Sequence, residues 1–300
     1  MIYTVTLNPT LDYIMHIDSL KINTMNRSNK EEVYPGGKGI NVSIVLNNLN
    51  IRNKALGFVA GFTGKEIERL VQKYGVDSDF ITLDSGISRI NVKLSEVSET
   101  DINGVGPKVT PQDLRELFDK LEPLQDGDFL VLAGSITTGI PDDIYKKIMK
   151  SFGDKKIHFI VDTTKDALLN TLKYKPFLVK PNRFELAETF GVELENENDI
   201  VTYGKKLQDM GAQNVLISLG ESGAILLTSD GDVINAPVVR GDVINTVGAG
   251  DSMIAGFIAG YIKTKDLSKA LKFGVASGSA TAFSPWLATK DAIDELLMRL

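Results

Sequence analysis

The chain has 300 residues, 43% of them hydrophobic and 24% charged, with a net charge of −6. That composition suits a soluble globular enzyme with one large α/β domain and an elaboration, or with two smaller domains. It has no cysteine and only two histidines, His16 and His158, which excludes disulfides, thiolate metal sites and a histidine metal cluster. The acidic balance, without a dense Lys/Arg tract, excludes broad nucleic-acid binding.

The amino terminus alternates from Ile2 to Leu7 as a first strand. It carries no basic leader and no long apolar run, so no secretion signal or membrane span is expected and the chain reads as cytoplasmic. The strand runs into Asn8-Pro9-Thr10, with Asp12 just beyond, where an open α/β sheet delivers its ligand-binding loops. Asp12 reads either as a grip on sugar hydroxyls or as a turn-forming Asp after Asn-Pro. Residues 13–35 alternate apolar and polar groups as strands do, and His16 there is assigned no catalytic role because no nearby Ser or Cys is suggested beside it.

Pro35-Gly36-Gly37-Lys38-Gly39-Ile40-Asn41-Val42 opens a helix with Val42, Val45, Leu46 and Leu49 on one face. Its glycines let a ligand approach the helix amino terminus, and Lys38 and Asn41 add a cation and an amide there, a fit for a polyol or its phosphate. A strand from Ala55, a helix with Ile67, Leu70, Val71 and Tyr74 on one face, and a strand at Phe80–Leu83 follow. The alternation resumes at Arg89–Leu94 and Thr100–Asn103. The stretches 12–35 and 87–107 thus read as two β additions that pair into a small sheet over the site and shut out water. Arg89 and Asn103 would face the substrate; Arg89 suits phosphate oxygens, although a plain surface arginine also fits.

Four apolar runs then end in polar or glycine residues: Phe129–Ala133 before Gly134-Ser135, His158–Val161 before Asp162, Phe177–Val179 before Lys180-Pro181-Asn182, and Asn214–Ile217 before Ser218-Leu219-Gly220. Alternating with helices, they form a parallel sheet covered on both faces. Asn182 and Glu185 are either a site pair, with Glu185 holding a magnesium ion directly or through water, or an N-cap and N3 capping pair. Gly220-Glu221-Ser222-Gly223 is a turn able to approach a nucleotide, and helices at about 250–262, 266–283 and 289–299 close the chain.

Two glycines and an alanine in Asn245-Thr246-Val247-Gly248-Ala249-Gly250-Asp251-Ser252 precede one of these helices. Several N–H groups can therefore point into one concavity at the positive end of a helix dipole. Asp251 in that turn is either a first-turn acid or a base that accepts the proton of an attacking hydroxyl while the N–H groups stabilise phosphoryl oxygens. A dinucleotide fingerprint is excluded because Gly248-x-Gly250 lacks its third glycine. A P-loop is excluded because Glu66 follows Gly64-Lys65 and Val59 stands at the leading glycine position.

Five segments in this order resemble the ribokinase-like, or PfkB, sugar kinases from end to end. They are Thr6-Leu7-Asn8-Pro9 with Asp12, Gly36–Val42, Lys180–Glu185, Ser218–Gly223 and Val247–Ser252. The first two, with Thr100–Gly104, look like the branch that phosphorylates ketohexose monophosphates. The resemblance implies a three-layer α/β/α core, with a mostly parallel sheet, formed by 1–11, 36–86 and 108–300. A β lid at 12–35 and 87–107 would cover the substrate site and in relatives is often the dimer contact, so a homodimer is expected. The reaction it implies is transfer of the γ-phosphoryl of ATP, with Mg2+, to the 6-hydroxyl of fructose 1-phosphate. Asp251 would be the general base, with the backbone of Gly248, Ala249, Gly250 and Asp251 as the anion hole. Asp12, Gly37, Asn41, Asn103 and Ser135 would hold the sugar, and Lys38 and Arg89 its existing phosphate. Lys180, Asn182, Glu185, Ser218, Gly220, Gly223, Thr246, Gly248 and Gly250 would border ATP and the metal.

Tagatose 6-phosphate or fructose 6-phosphate remain open as acceptors for the same chemistry. A nucleotide- or sugar-binding regulator without turnover is a further alternative, although loss of the base is its usual mark and Asp251 is present. One segment departs from the family pattern. Gly134-Ser135-Ile136-Thr137-Thr138-Gly139 stands where relatives commonly have Gly-Ser-Leu-Pro-Pro-Gly, which leaves the rigidity of that loop to be explained.

Overall fold

A computed structural model describes residues 1–95 and 100–300; residues 96–99, within the expected lid stretch 87–107, lie outside the described residues. The strands are β1 (Ile2–Thr6), β2 (Thr10–His16), β3 (Lys30–Gly36), β4 (Lys54–Ala60), β5 (Asp77–Ser78), β6 (Ile81–Leu83) and β7 (Arg89–Ser95). After them come β8 (Thr100–Asn103), β9 (Phe129–Ala133), β10 (His158–Asp162), β11 (Leu178–Val179), β12 (Asn214–Ser218), β13 (Ala224–Leu227) and β14 (Val233–Ala236). The helices are α1 (Lys38–Asn48), α2 (Gly61–Lys73), α3 (Pro111–Leu121), α4 (Ile144–Ser151) and α5 (Lys165–Leu172). They continue with α6 (Arg183–Phe190), α7 (Glu197–Asp209), α8 (Ala249–Thr264), α9 (Leu267–Ala282) and α10 (Lys290–Leu297).

The main sheet runs β14-β13-β12-β11-β10-β9-β1-β4-β5, with β6 beside β4. It is parallel from β12 to β5, because each apolar run is followed by a crossover helix, and turns antiparallel where the short connection at Gly220–Gly223 returns the chain as β13 and then β14. Its strands alternate between two cores. Val131 and Ala133 belong to the core shared with α1, α2, α8, α9 and α10, while Leu130 and Leu132 belong to the core shared with α3 to α7. This is the three-layer α/β/α arrangement the family pattern implied. Helix α1 departs from the expected one-sided face: every residue from Gly39 to Leu46 is buried, because α1 lies against β1, β4 and β9 on one side and α8 on the other.

A second sheet of four strands has the order β3-β2-β7-β8. Register across it aligns Tyr34, Asp12, Asn91 and Asn103 in one row, and Val33, Tyr13, Val92 and Ile102 in the next. Side chains alternate along a strand, so the first row takes one face and the second, mostly apolar, takes the other. His16 reaches across β2 and β3 to Glu32, with Nε2 2.8 Å from Oε2. Among the described residues no helix is long and apolar enough to cross a membrane.

Candidate active site

Two cavities open at the carboxyl ends of the parallel strands, where strand-to-helix loops gather. The smaller, of about 300 Å³, is lined by Thr6, Asn8, Thr10, Asp12, Gly37, Lys38, Asn41, Arg89, Asn91, Gly134, Ser135, Val247, Gly248 and Asp251, with Ala133. The larger, of about 870 Å³, is lined by Asn182, Ser218, the Gly220–Gly223 turn, Thr246, Ala249, Gly250 and an apolar wall that includes Val239, Val243, Met253, Val275 and Phe283. The amino terminus of α8 stands between them. Gly248 and Asp251 face the small cavity, while Ala249 and Gly250 face the large one.

The turn into α8 needs its glycines. Gly248 is in the left-handed region at φ 79, and a Cβ there would come within 2.6 Å of Leu287 Cδ2. The Ala249 N–H donates to Thr246 O at 3.2 Å and the Ser252 N–H to Gly248 O at 2.8 Å. The N–H groups of Gly250 and Asp251 have no backbone acceptor among the described residues, as the first turn of a helix leaves them. Of the expected anion hole, then, the Ala249 amide is already engaged.

Asp251 is buried, and its Oδ2 accepts from Asn41 Nδ2 at 2.8 Å. Burial, then the negative charge of Asp162, pushes its carboxyl up to about 6, against the pull of Lys38, the Asn41 bond and Lys180. Asp162, at the end of β10, is almost fully buried; its Oδ1 lies 3.2 Å from Lys38 Nζ and 3.6 Å from Lys180 Nζ. Burial alone would lower the Lys38 ammonium, but Asp162, Asp251 and Glu185 together hold it well above its ordinary value. Lys180 sits against the turn into α8, where a Cβ on Gly250 would lie 3.1 Å from its Nζ, and does not line the larger cavity.

The small cavity is crowded with unpaired polar atoms. Thr6 Oγ1, Asn8 Oδ1, Thr10 Oγ1, Asp12 Oδ1, Asn41 Oδ1 and Asn91 Oδ1 are all buried without a hydrogen-bond partner, and all six residues line this cavity. Buried polar groups are normally paired, so six converging on one space fit a ligand rich in hydroxyl or phosphate oxygens. Arg89 adds a half-buried cation whose Nε donates to Asn8 O at 3.2 Å; it makes no ion pair among the described residues. Burial pushes the Asp12 carboxyl up, opposed by Lys93 and Arg89, and Gly36 leaves the space its Oδ2 occupies, since a Cβ there would lie 2.6 Å from it.

Asn103 lies outside this lining: it is exposed on the edge strand β8, one strand beyond Asn91. Asn91 could have been found from the sequence, because it lies two residues after Arg89 on the same strand face. Asp162 had a signal too, at the carboxyl end of a parallel strand. Asn182 and Glu185 form the capping pair: Asn182 Oδ1 accepts from the Glu185 N–H at 2.7 Å, and Glu185 Oε2 from the Asn182 N–H at 2.8 Å. The other oxygen of Glu185 stands 3.8 Å from Lys38 Nζ.

The Gly134–Gly139 loop is held without prolines. Tyr145 donates its hydroxyl to Gly134 O at 3.0 Å, Thr137 Oγ1 donates to Pro107 O at 3.1 Å, and the Val109 N–H donates to Thr138 O at 3.0 Å. The first bond ties the loop carrying Ser135 to α4, and the other two fasten it to the limb that leaves β8.

The pattern of the pfkB family carbohydrate kinases matches residues 5–290. The chain belongs to this family. It is 44% identical over 297 residues to the 1-phosphofructokinase of Bacillus subtilis, covering 99% of this chain and 97% of that one. It is 37% identical over 296 residues to the D-tagatose-1-phosphate kinase of Bacillus licheniformis, covering 98% and 97%. Phosphofructokinase-2 from Escherichia coli, solved in complex with substrates and products, superposes with a TM-score of 0.92 at 26% identity over 100% of this chain and 99% of that one. A carbohydrate kinase brings an acceptor and a phosphoryl donor together, and the two cavities lie on either side of the amino terminus of α8.

Proposed function

We propose that the protein phosphorylates fructose 1-phosphate at its 6-hydroxyl with ATP, giving fructose 1,6-bisphosphate and ADP. The observation that carries this reading is the α8 terminus: one turn lines a polar cavity through Gly248 and the Asp251 carboxylate and a nucleotide-sized cavity through Ala249 and Gly250. Asp251 takes the proton of the attacking hydroxyl, and the Gly250 and Asp251 N–H groups meet the phosphoryl oxygens as the oxygen–phosphorus bond forms and ADP leaves. Asp12, Asn41, Asn91, Gly37 and Ser135 hold the sugar. Arg89 and Lys38 are the cations for charge already on the acceptor. Ser218, Gly220, Gly223, Thr246 and Asn182 border the nucleotide, with Lys180 countering its charge from below. Most of the rate would come from alignment and electrostatics, since phosphoryl transfer needs little covalent help.

A divalent ion, taken as magnesium, neutralises charge on the nucleotide phosphates when bound. Among the described residues no cluster of three His, Cys, Asp or Glu could cage it. Magnesium keeps several waters and takes one or two carboxylates; Glu185, whose Oε1 lies 3.8 Å from Lys38 Nζ and which lines neither cavity, would hold it through water. The small sheet acts as a lid, 12–35 and 87–107, on a core of 1–11, 36–86 and 108–300. Its apolar outer row, Val33, Tyr13, Val92 and Ile102, supports a homodimer through the lid.

Tagatose 1-phosphate is the second acceptor to weigh, because a relative 37% identical over nearly the whole chain is named for it. The test is kcat/KM with Mg-ATP for fructose 1-phosphate, tagatose 1-phosphate, fructose 6-phosphate and tagatose 6-phosphate. Fructose 1-phosphate is expected to lead. A lead by tagatose 1-phosphate or by either 6-phosphate would overturn the acceptor assignment, and no turnover with any of them would favour a binding protein.

The base role also sets a pH profile. Asp251 acts only as the carboxylate, so kcat/KM should fall about tenfold per pH unit below about 6, the value to which burial and Asp162 raise it. A sugar phosphate also titrates near there. Asp162→Asn separates the two: with the Asp162 charge gone, a limb owed to Asp251 moves to lower pH, whereas one owed to the substrate stays in place.

A further inference from the structure

Tyr34 lies directly opposite Asp12 on the antiparallel pair β2 and β3, and residues so placed share a face of the sheet. Asp12 lines the small cavity, so Tyr34 projects from the cavity-facing side of the small sheet. There it stacks on Trp286, with ring centroids 4.0 Å apart and planes at 10°. Trp286 is buried and its Nε1 has no hydrogen-bond partner, so ring contact and packing hold the indole.

The loop bearing Trp286 is fixed to the catalytic helix. Leu287 abuts Gly248, where a Cβ would lie 2.6 Å from its Cδ2. The Ala288 N–H donates to Thr281 Oγ1 at 3.0 Å, and Thr281 Oγ1 donates to Ser252 Oγ at 2.7 Å, one residue beyond Asp251. One ring therefore belongs to the strand beside Asp12, and the other to a loop seated on the turn that carries Gly248 and Asp251.

We propose that Tyr34 and Trp286 are a positioning pair for phosphoryl transfer. Stacked, they set the separation between the sugar-facing row of the small sheet and the amino terminus of α8, so that Asp12 and Asn91 close on the acceptor from one side while Asn41 and Asp251 meet it from the other. The role rests on reading the small cavity as the acceptor site. It acts through other residues and not by contact with the acceptor, since neither ring lines that cavity.

Trp286 is the only tryptophan in the chain, so its emission reports the stack directly. Tyr34→Phe keeps a ring on the indole and is expected to leave both KM values near wild type. Tyr34→Leu is expected to change the Trp286 emission and raise the acceptor KM about 3- to 10-fold, the scale of one aromatic pair, with the ATP KM unmoved. The pair is overturned if the emission changes while the acceptor KM does not, or if Phe and Leu raise both KM values alike, as a merely structural role would. Should Tyr34→Leu fail to fold, Trp286→Phe and Trp286→Leu pose the same question from the core side, and only the leucine is expected to raise the acceptor KM. One readout does not depend on what the acceptor is. In ligand-free protein, trypsin should cut at the exposed Lys21 and Arg27 between β2 and β3 faster in Tyr34→Leu than in wild type, and an equal rate would overturn the pair even if the sugar assignment stands.

Discussion

Asp251→Asn is expected to bind ATP and the sugar phosphate about as wild type does and to lose about 10²- to 10⁴-fold in kcat, the range a positioned general base contributes. The replacement has the shape of the carboxylate, and its amide oxygen can still accept from Asn41 Nδ2, which lies 2.8 Å from Oδ2. It cannot take a proton from the acceptor hydroxyl. The fold should not suffer: the carboxylate is buried and its charge is opposed by Asp162, so neutralising it removes a repulsion. Single-turnover rates alongside equilibrium binding of each substrate separate the two effects. Wild-type kcat in the variant would exclude Asp251 as the base, and a parallel loss of sugar affinity would make it mainly a binding group.

The parts that could be read from the sequence are those that repeat a simple rule. Apolar runs ending at Ser135, Asp162, Asn182 and Ser218 did become parallel strands delivering polar residues to one edge. The alternating stretches around Asp12 and Arg89 did become a separate small sheet, with both residues on the cavity wall. Where the reading fell short, side-chain register or a local hydrogen bond decided. Asn103 and Asn91 sit opposite each other on β7 and β8, and only the order of strands tells which of them reaches the cavity. The first turn of α6 is compatible with a capping pair and with a metal ligand, and the geometry shows the capping bonds in place. Asp162 was visible as a strand end, but its pairing with Lys38 and Lys180 joins residues 124 and 18 positions apart in sequence, a contact that no local pattern encodes. The antiparallel β13 and β14 follow from two connections of five residues each, 219–223 and 228–232, too short for a crossover helix. Thr137 illustrates the opposite case: a departure from the family pattern that looks like lost rigidity is compensated by its hydroxyl bond to Pro107.

Gly248→Ala is expected to lower kcat about 100-fold with a smaller effect on stability. Gly248 holds φ 79, a region that costs an L-residue roughly 1–2 kcal/mol, and the added methyl would come 2.6 Å from Leu287 Cδ2 and 3.5 Å from Asn41 Nδ2. The end of a leucine can yield, so the chain should still fold, but the turn that aims the Gly250 and Asp251 N–H groups will shift. Misplacing groups by about 1 Å at a reacting centre costs on the order of 10²-fold. Gly153→Ala is the control, because Gly153 is also left-handed, at φ 56, with open space around its Cβ position. Both variants carry the backbone strain and should lose a few degrees of Tm, and only Gly248→Ala should lose kcat. If the two lower kcat equally, the loss reflects strain in general, and the α8 turn has no special part in stabilising the transferring phosphoryl group. A selective loss that Leu287→Ala partly restores in the double variant would place the cause in the crowding at Gly248, and so in the aim of the amides that follow it.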